Sequence, residues 1–150
     1  MKLRPSMQYV AIIAVLSLLS VGMSGCISQS GYEFKSGITP PKLVSDLMKN
    51  GTVILFITQN NCPACEQTLP KITDLQKQYN GTNVTFATFN IDNSSSSRNV
   101  GQVYGVSATP TTVVLRKDGA AATFVGVFDE NTVKSAVSYT HLTLPTNREV

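Results

Sequence analysis

The chain has 150 residues, enough for one domain with a sizeable core, and 42% of them are hydrophobic. Its formal net charge is only +3, with most of the basic excess (Lys2 and Arg4) at the N-terminal end, which gives no electrostatic case for nucleic acid. Three cysteines and one histidine exclude a disulfide-framework protein and leave few ligands for a structural metal.

Residues 1–26 read as an export signal. Lys2 and Arg4 supply the positive start, Tyr9 to Val21 the apolar core, and Met23-Ser24-Gly25-Cys26 the processing site. Small residues directly before a cysteine resemble the lipobox of prokaryotic lipoproteins, which implies lipidation at Cys26, although Met23 stands where Leu is usual. The alternative is an uncleaved membrane anchor: Pro5 to Ser30 is uncharged, but its strongly apolar part is shorter than the roughly 20 residues a span needs. Either reading tethers the protein on the extracytoplasmic face of a membrane. Residues 27–37 are polar and form a tether, with room for a first strand at Tyr32 to Lys35.

Residues 38–136 are expected to fold as one domain. Thr39-Pro40-Pro41 opens a helix carrying Leu43, Val44, Leu47 and Met48 at helical spacing, and Asn50-Gly51 ends it. Thr52 to Thr58 is a continuous apolar run, the pattern of a central strand covered on both faces. A helix follows from Pro63 to Tyr79, with Leu69, Ile72, Leu75 and Tyr79 on one face and a kink expected at Pro70. Val84 to Ile91 is the next strand, and the Ser-rich stretch Asp92 to Asn99 a loop leading into a short helix through Tyr104. Thr111 to Leu115 and Ala122 to Val127 flank Lys117-Asp118-Gly119, and Asp-Gly between two strands signals a hairpin. Asp129 caps a last helix from Glu130 onward. Parallel crossovers first and a hairpin later imply a mixed α/β sheet with helices on both faces.

One stretch carries chemistry. Cys62-Pro63-Ala64-Cys65 stands between a strand and a helix, so Cys62 falls at a helix N-terminus, where free N–H groups and the helix dipole favour a thiolate. Cys65, one turn on, suits a resolving role. A half zinc site lacks its other ligands, and an inert structural disulfide across so short a loop would constrain the unfolded chain little.

Cys62-Pro63-Ala64-Cys65, Pro70, Asn90-Ile91-Asp92, Tyr104-Gly105-Val106, Thr109-Pro110-Thr111, Lys117-Asp118-Gly119 and Gly126 resemble thioredoxins in order and spacing. The resemblance covers about Ile38 to Ala136. It implies a thioredoxin fold with a central mixed sheet of four to five strands and a C-terminal helix cut short. It further implies a redox disulfide between Cys62 and Cys65 and a cis peptide bond before Pro110. Thr109 and Pro110 would dock the substrate chain beside Pro63 and Ala64. Gly126 would leave room for the substrate backbone, or mark a bulge. No cofactor and no metal are implied. Copper-delivery relatives of this fold typically use wider cysteine spacing and a histidine, and neither is present.

The sequence also departs from that family. Thioredoxins place a buried Asp six residues before the first cysteine and a Lys facing it; here those positions are Phe56 and Thr88. Their Trp directly before the first cysteine is here Asn61. The proton of Cys65 must therefore use water or another route.

Together these readings give a membrane-tethered thiol–disulfide oxidoreductase acting on exported protein thiols and disulfides. A membrane electron donor would serve it, nucleic acid has no part in it, and the working unit would be a monomer. A non-catalytic binding or chaperone lipoprotein of the same fold is the alternative. Asn50, Asn80, Asn83 and Asn93 each head an Asn-x-Ser/Thr pattern, which suits an exported protein. The last stretch, Val137 to Thr146, resembles the translation of a sequencing adapter, so residues 137–150 are set aside as a non-native tail.

Overall fold

A computed structural model describes residues 32–142. The expected signal segment, Cys26 and the first part of the tether lie outside the described residues, as does the chain beyond Leu142. Among the described residues, no helix is long and apolar enough to cross a membrane.

The elements follow the expected order. Helix α1 (Lys42–Met48) leads to strand β1 (Thr52–Thr58), helix α2 (Pro63–Gln78), strand β2 (Val84–Asn90) and helix α3 (Ser95–Val103). Strands β3 (Thr111–Leu115) and β4 (Ala121–Val125) form the hairpin, and helix α4 (Glu130–Leu142) closes the fold. The described sheet has four strands in the order β2-β1-β3-β4. β1 pairs parallel with β2 and antiparallel with β3, so the sheet is mixed as the element order implied.

β1 is the central strand, and its composition explains why. Val53 to Ile57 are each no more than 3% exposed, and burying each such side chain is worth about 1.5–3 kcal/mol. Alternate residues serve two cores. Ile54 and Phe56 pack with α2 and α4 residues (Ile72, Leu75, Val133, Ala136), while Val53, Leu55 and Ile57 pack with α1 and α3 residues (Val44, Met48, Val100). Helices therefore cover both faces.

Gly51 permits the close start of the parallel β1–β2 pair. Its φ is +145°, and a Cβ there would collide with the backbone oxygen of Asn83. Its role is thus close strand approach, beyond simply ending the preceding helix.

Three local expectations change. Tyr32 to Lys35 makes only a single bridge, Lys35 to Ala121, rather than a strand. The segment is held instead by side chains: Tyr32 packs edge-on to Phe34 and against Phe124, and the Arg116 guanidinium lies over the Phe34 ring. The Ser-rich stretch is helical from Ser95, because the Ser94 hydroxyl accepts from the Ser97 N–H at 3.0 Å and caps α3. The second hairpin strand ends at Val125, since Gly126 turns the chain at φ +84°. At the other end of the domain, α4 runs without a break past Ala136 into the segment set aside as a tail. Val137 is fully buried there and the Tyr139 ring stacks on Phe34.

Candidate active site

β1 delivers the chain to one end of the sheet, and a tight loop aims it into α2. Asn61 takes a left-handed conformation (φ +52°), which Asn tolerates better than most side chains. Cys62 is the N-cap of α2, in extended conformation, and Pro63 follows in the first turn, where no N–H is needed. The Cys62 Sγ accepts the backbone N–H of Cys65 at 3.1 Å, and the Cys62 carbonyl accepts from the N–H groups of Cys65 and Glu66. The sulfur thus occupies the anion-favouring end of the helix.

Cys62 and Cys65 are joined as a disulfide, with S–S 2.06 Å and Cα–Cα 5.2 Å. Both are buried, in the same core cluster as Phe56, with Ala64 packed against it and Pro63 exposed.

The loop before the cysteines is latched to the end of β2. The Asn60 backbone N–H donates to Asp92 Oδ2 at 2.9 Å, the Asn90 amide donates to Asn60 Oδ1 at 2.9 Å, and the Asp92 N–H donates to Asn90 Oδ1. Sequence reading marked Asn90-Ile91-Asp92 only as a motif. That it clamps Asn60 follows from the parallel register, which sets Thr58 beside Asn90.

The second wall is the turn into β3. The Thr109–Pro110 bond is cis, and the Thr109 hydroxyl donates to Cys62 Sγ at 3.8 Å. The Pro110 carbonyl accepts the Gly126 N–H at 2.7 Å. Gly126 therefore anchors the proline turn to the end of β4, and the space where a Cβ would stand is open. The structure thus brings Cys62, Cys65, Thr109, Pro110 and Gly126 together around one end of the sheet.

Phe56 and Thr88, the positions of the missing acid and lysine, are register partners across β1 and β2. Phe56 is buried and Thr88 exposed. A cavity of about 320 Å3 opens between them and the cysteines, lined by Phe56, Thr88, Asn61, Cys62, Cys65 and Glu66 among others. Glu66 was not singled out from sequence; its place directly after Cys65 was the available signal.

Burial pushes Tyr104 up to about 12 and also raises Tyr79, while the Thr132 backbone N–H holds Asp129 below the usual carboxylate range. Among the described residues, no three His, Cys, Asp or Glu side chains gather as a metal site.

Residues 44–141 match the Thioredoxin-like domain family. The chain belongs to that family. Among solved structures, this thioredoxin-like fold is similar to a mutant thioredoxin from Halobacterium salinarum, with 21% identity and a TM-score of 0.58 over 72% of this chain and 91% of that one. It is also similar to oxidized mitochondrial thioredoxin 3 from Saccharomyces cerevisiae (19% identity, TM-score 0.55, 65% and 87% covered). A Fasciola hepatica thioredoxin gives 20% identity and a TM-score of 0.54, with 65% and 88% covered. No curated protein sequence matches the chain. At these identities the structural likeness establishes the fold. The family match and the paired cysteines support thiol–disulfide oxidoreductase chemistry in general terms.

Proposed function

We propose that this protein is an extracytoplasmic thiol–disulfide oxidoreductase that exchanges disulfides with exported proteins. The observation that carries the reading is Cys62 at the cap of α2, receiving the Cys65 N–H on one side and the Thr109 hydroxyl on the other. Both donors favour the thiolate in the reduced protein. Cys62 attacks a substrate disulfide and forms a mixed disulfide; Cys65 then attacks Cys62 and releases the substrate thiolate. The reverse sequence oxidises a substrate dithiol. The cis turn at Thr109 and Pro110, with Pro63, Ala64 and the open side of Gly126, forms the face on which the substrate chain docks.

The location rests on the sequence of residues 1–26, whose apolar core and lipobox-like Cys26 fit a lipid tether or an uncleaved N-terminal anchor. An electron donor in the membrane would set the direction of exchange, and the tethered chain acts as a monomer. A Cys65→Ala variant should accumulate mixed disulfides with exported proteins, and a Cys62→Ser variant should not. If no mixed disulfide forms with Cys65→Ala, the catalytic reading fails. Unchanged biological activity of Cys62→Ser would favour a binding module instead. The reduction potential of the pair against glutathione decides between reductase and oxidase. Loss of membrane retention in Cys26→Ala would support the lipid tether.

A further inference from the structure

We infer that Glu66 is the proton acceptor for Cys65 in the resolving step, working through the cavity between β1, β2 and the start of α2. This rests on the oxidoreductase reading above and adds a residue to it. The need for such a group comes from Phe56. Its buried ring shares a core cluster and a cavity with Cys65, and its register partner Thr88 carries no charge, so the sheet supplies no acid or base there. Strands β1, β2 and β3 (TVILFIT, VTFATFN and TTVVL) contain no ionisable side chain at all.

What the sheet lacks, the cavity offers. It touches both cysteines, and Glu66 is the only carboxylate among the described residues that line it. The cysteines are buried, whereas Glu66 is exposed, so the cavity links a buried sulfur to a group in contact with bulk water. The neighbouring charges are otherwise engaged. Asp92 lies behind Asn60, accepts its N–H and does not line the cavity; Lys71, further along α2, donates to the Phe128 carbonyl at 2.9 Å.

The step balances as follows. The Cys65 S–H proton passes through the cavity to the Glu66 carboxylate as the Cys65 sulfur attacks Cys62. The Cys62–Cys65 bond forms, the Cys62–substrate bond breaks, and the substrate sulfur leaves as a thiolate. The protein dithiol is oxidised and the substrate disulfide reduced. Glu66 then returns its proton to water. The competing effect is simple repulsion. Glu66 lies four residues from Cys62, in the first turn of α2, and a carboxylate there disfavours a thiolate on the same helix face. The two effects have opposite signs, which makes them separable.

The test mixes the reduced full chain with a small aromatic disulfide whose released thiol is coloured. The first phase reports Cys62 attack and the second reports resolution by Cys65. Glu66→Gln should slow the second phase at neutral pH by about tenfold or more, a modest share of what a positioned base contributes. It should leave the first phase unchanged or faster. The deficit should shrink in alkaline solution, where Cys65 is already a thiolate, and Glu66→Asp should recover part of the rate. A second phase that is unchanged or faster in Glu66→Gln overturns the inference and leaves only repulsion. Absence of the first phase in the unsubstituted protein would instead overturn the oxidoreductase reading itself.

Discussion

The Thr109 hydroxyl and the Cys62 Sγ lie 3.8 Å apart, although 47 positions separate them in the chain. The contact joins the cis turn to the reactive end of α2. In the reduced protein the hydroxyl would donate to a thiolate, a charge-assisted bond worth about 1.5 kcal/mol at the low end of its range. Thr109→Val keeps the branched shape and removes the donor. The Cys62 thiolate should then be less favoured, and its alkylation at neutral pH should slow by up to about tenfold. An alkylation–pH profile superimposable on that of the parent protein would deny Thr109 this role.

Phe56→Asp puts an acid where the resemblance to thioredoxins implies one. In this structure it should be damaging, because it removes a buried ring and leaves an unpaired carboxylate. A loss of about 4 kcal/mol or more is expected in denaturant unfolding. Adding Thr88→Lys, its register partner, should recover part of that loss, and a double-mutant cycle measures the coupling.

Tyr104 is 5% exposed, and its hydroxyl has no partner among the described residues. Burial raises its pKa to about 12, above the value near 10 of an exposed tyrosine. Below about pH 10 both folded and unfolded states hold the phenolic proton. Between there and about 12 the unfolded state loses it first, so stability falls as pH rises. Tyr104→Phe should remove this alkaline loss and be neutral or stabilising near neutral pH, since no hydrogen bond is broken. Thermal melts of both proteins at neutral and alkaline pH check this.

Asp129 caps α4: its Oδ2 accepts the Thr132 N–H at 2.9 Å and the Thr132 hydroxyl at 3.0 Å. Those bonds hold its pKa down, so the stabilisation is present above the ordinary carboxylate range. It is lost as pH falls through the depressed value. Asp129→Ala should lower Tm at neutral pH and have less effect in acid, whereas Asp129→Ser should retain most of the cap.

Gly51→Ala should cost at least about 2 kcal/mol, because the added methyl meets the Asn83 backbone rather than a yielding side chain. Circular dichroism melts would show it, and an unchanged Tm would mean that the β1–β2 start can open without penalty.

The sequence by itself determined the order of elements, the central place of β1 and the position of the cysteine pair at a helix start. Each of these is a local pattern: an apolar run, a helical period, Asp-Gly between strands, Pro63 behind Cys62. It misjudged Tyr32 to Lys35 because that segment is held by rings from Phe124 and Tyr139, far along the chain, and not by strand pairing. It read Asp92 to Asn99 as a loop because serine composition says little until one serine is seen to cap. Only the tertiary structure decided that Thr109 reaches Cys62, that Asp92 clamps Asn60 and that Glu66 shares a cavity with Thr88. Those relations depend on strand register: pairing Thr58 with Asn90 and Ile57 with Thr111 brings three distant loops to one end of the sheet. Register is set by the packing of whole faces, which no short window of sequence contains.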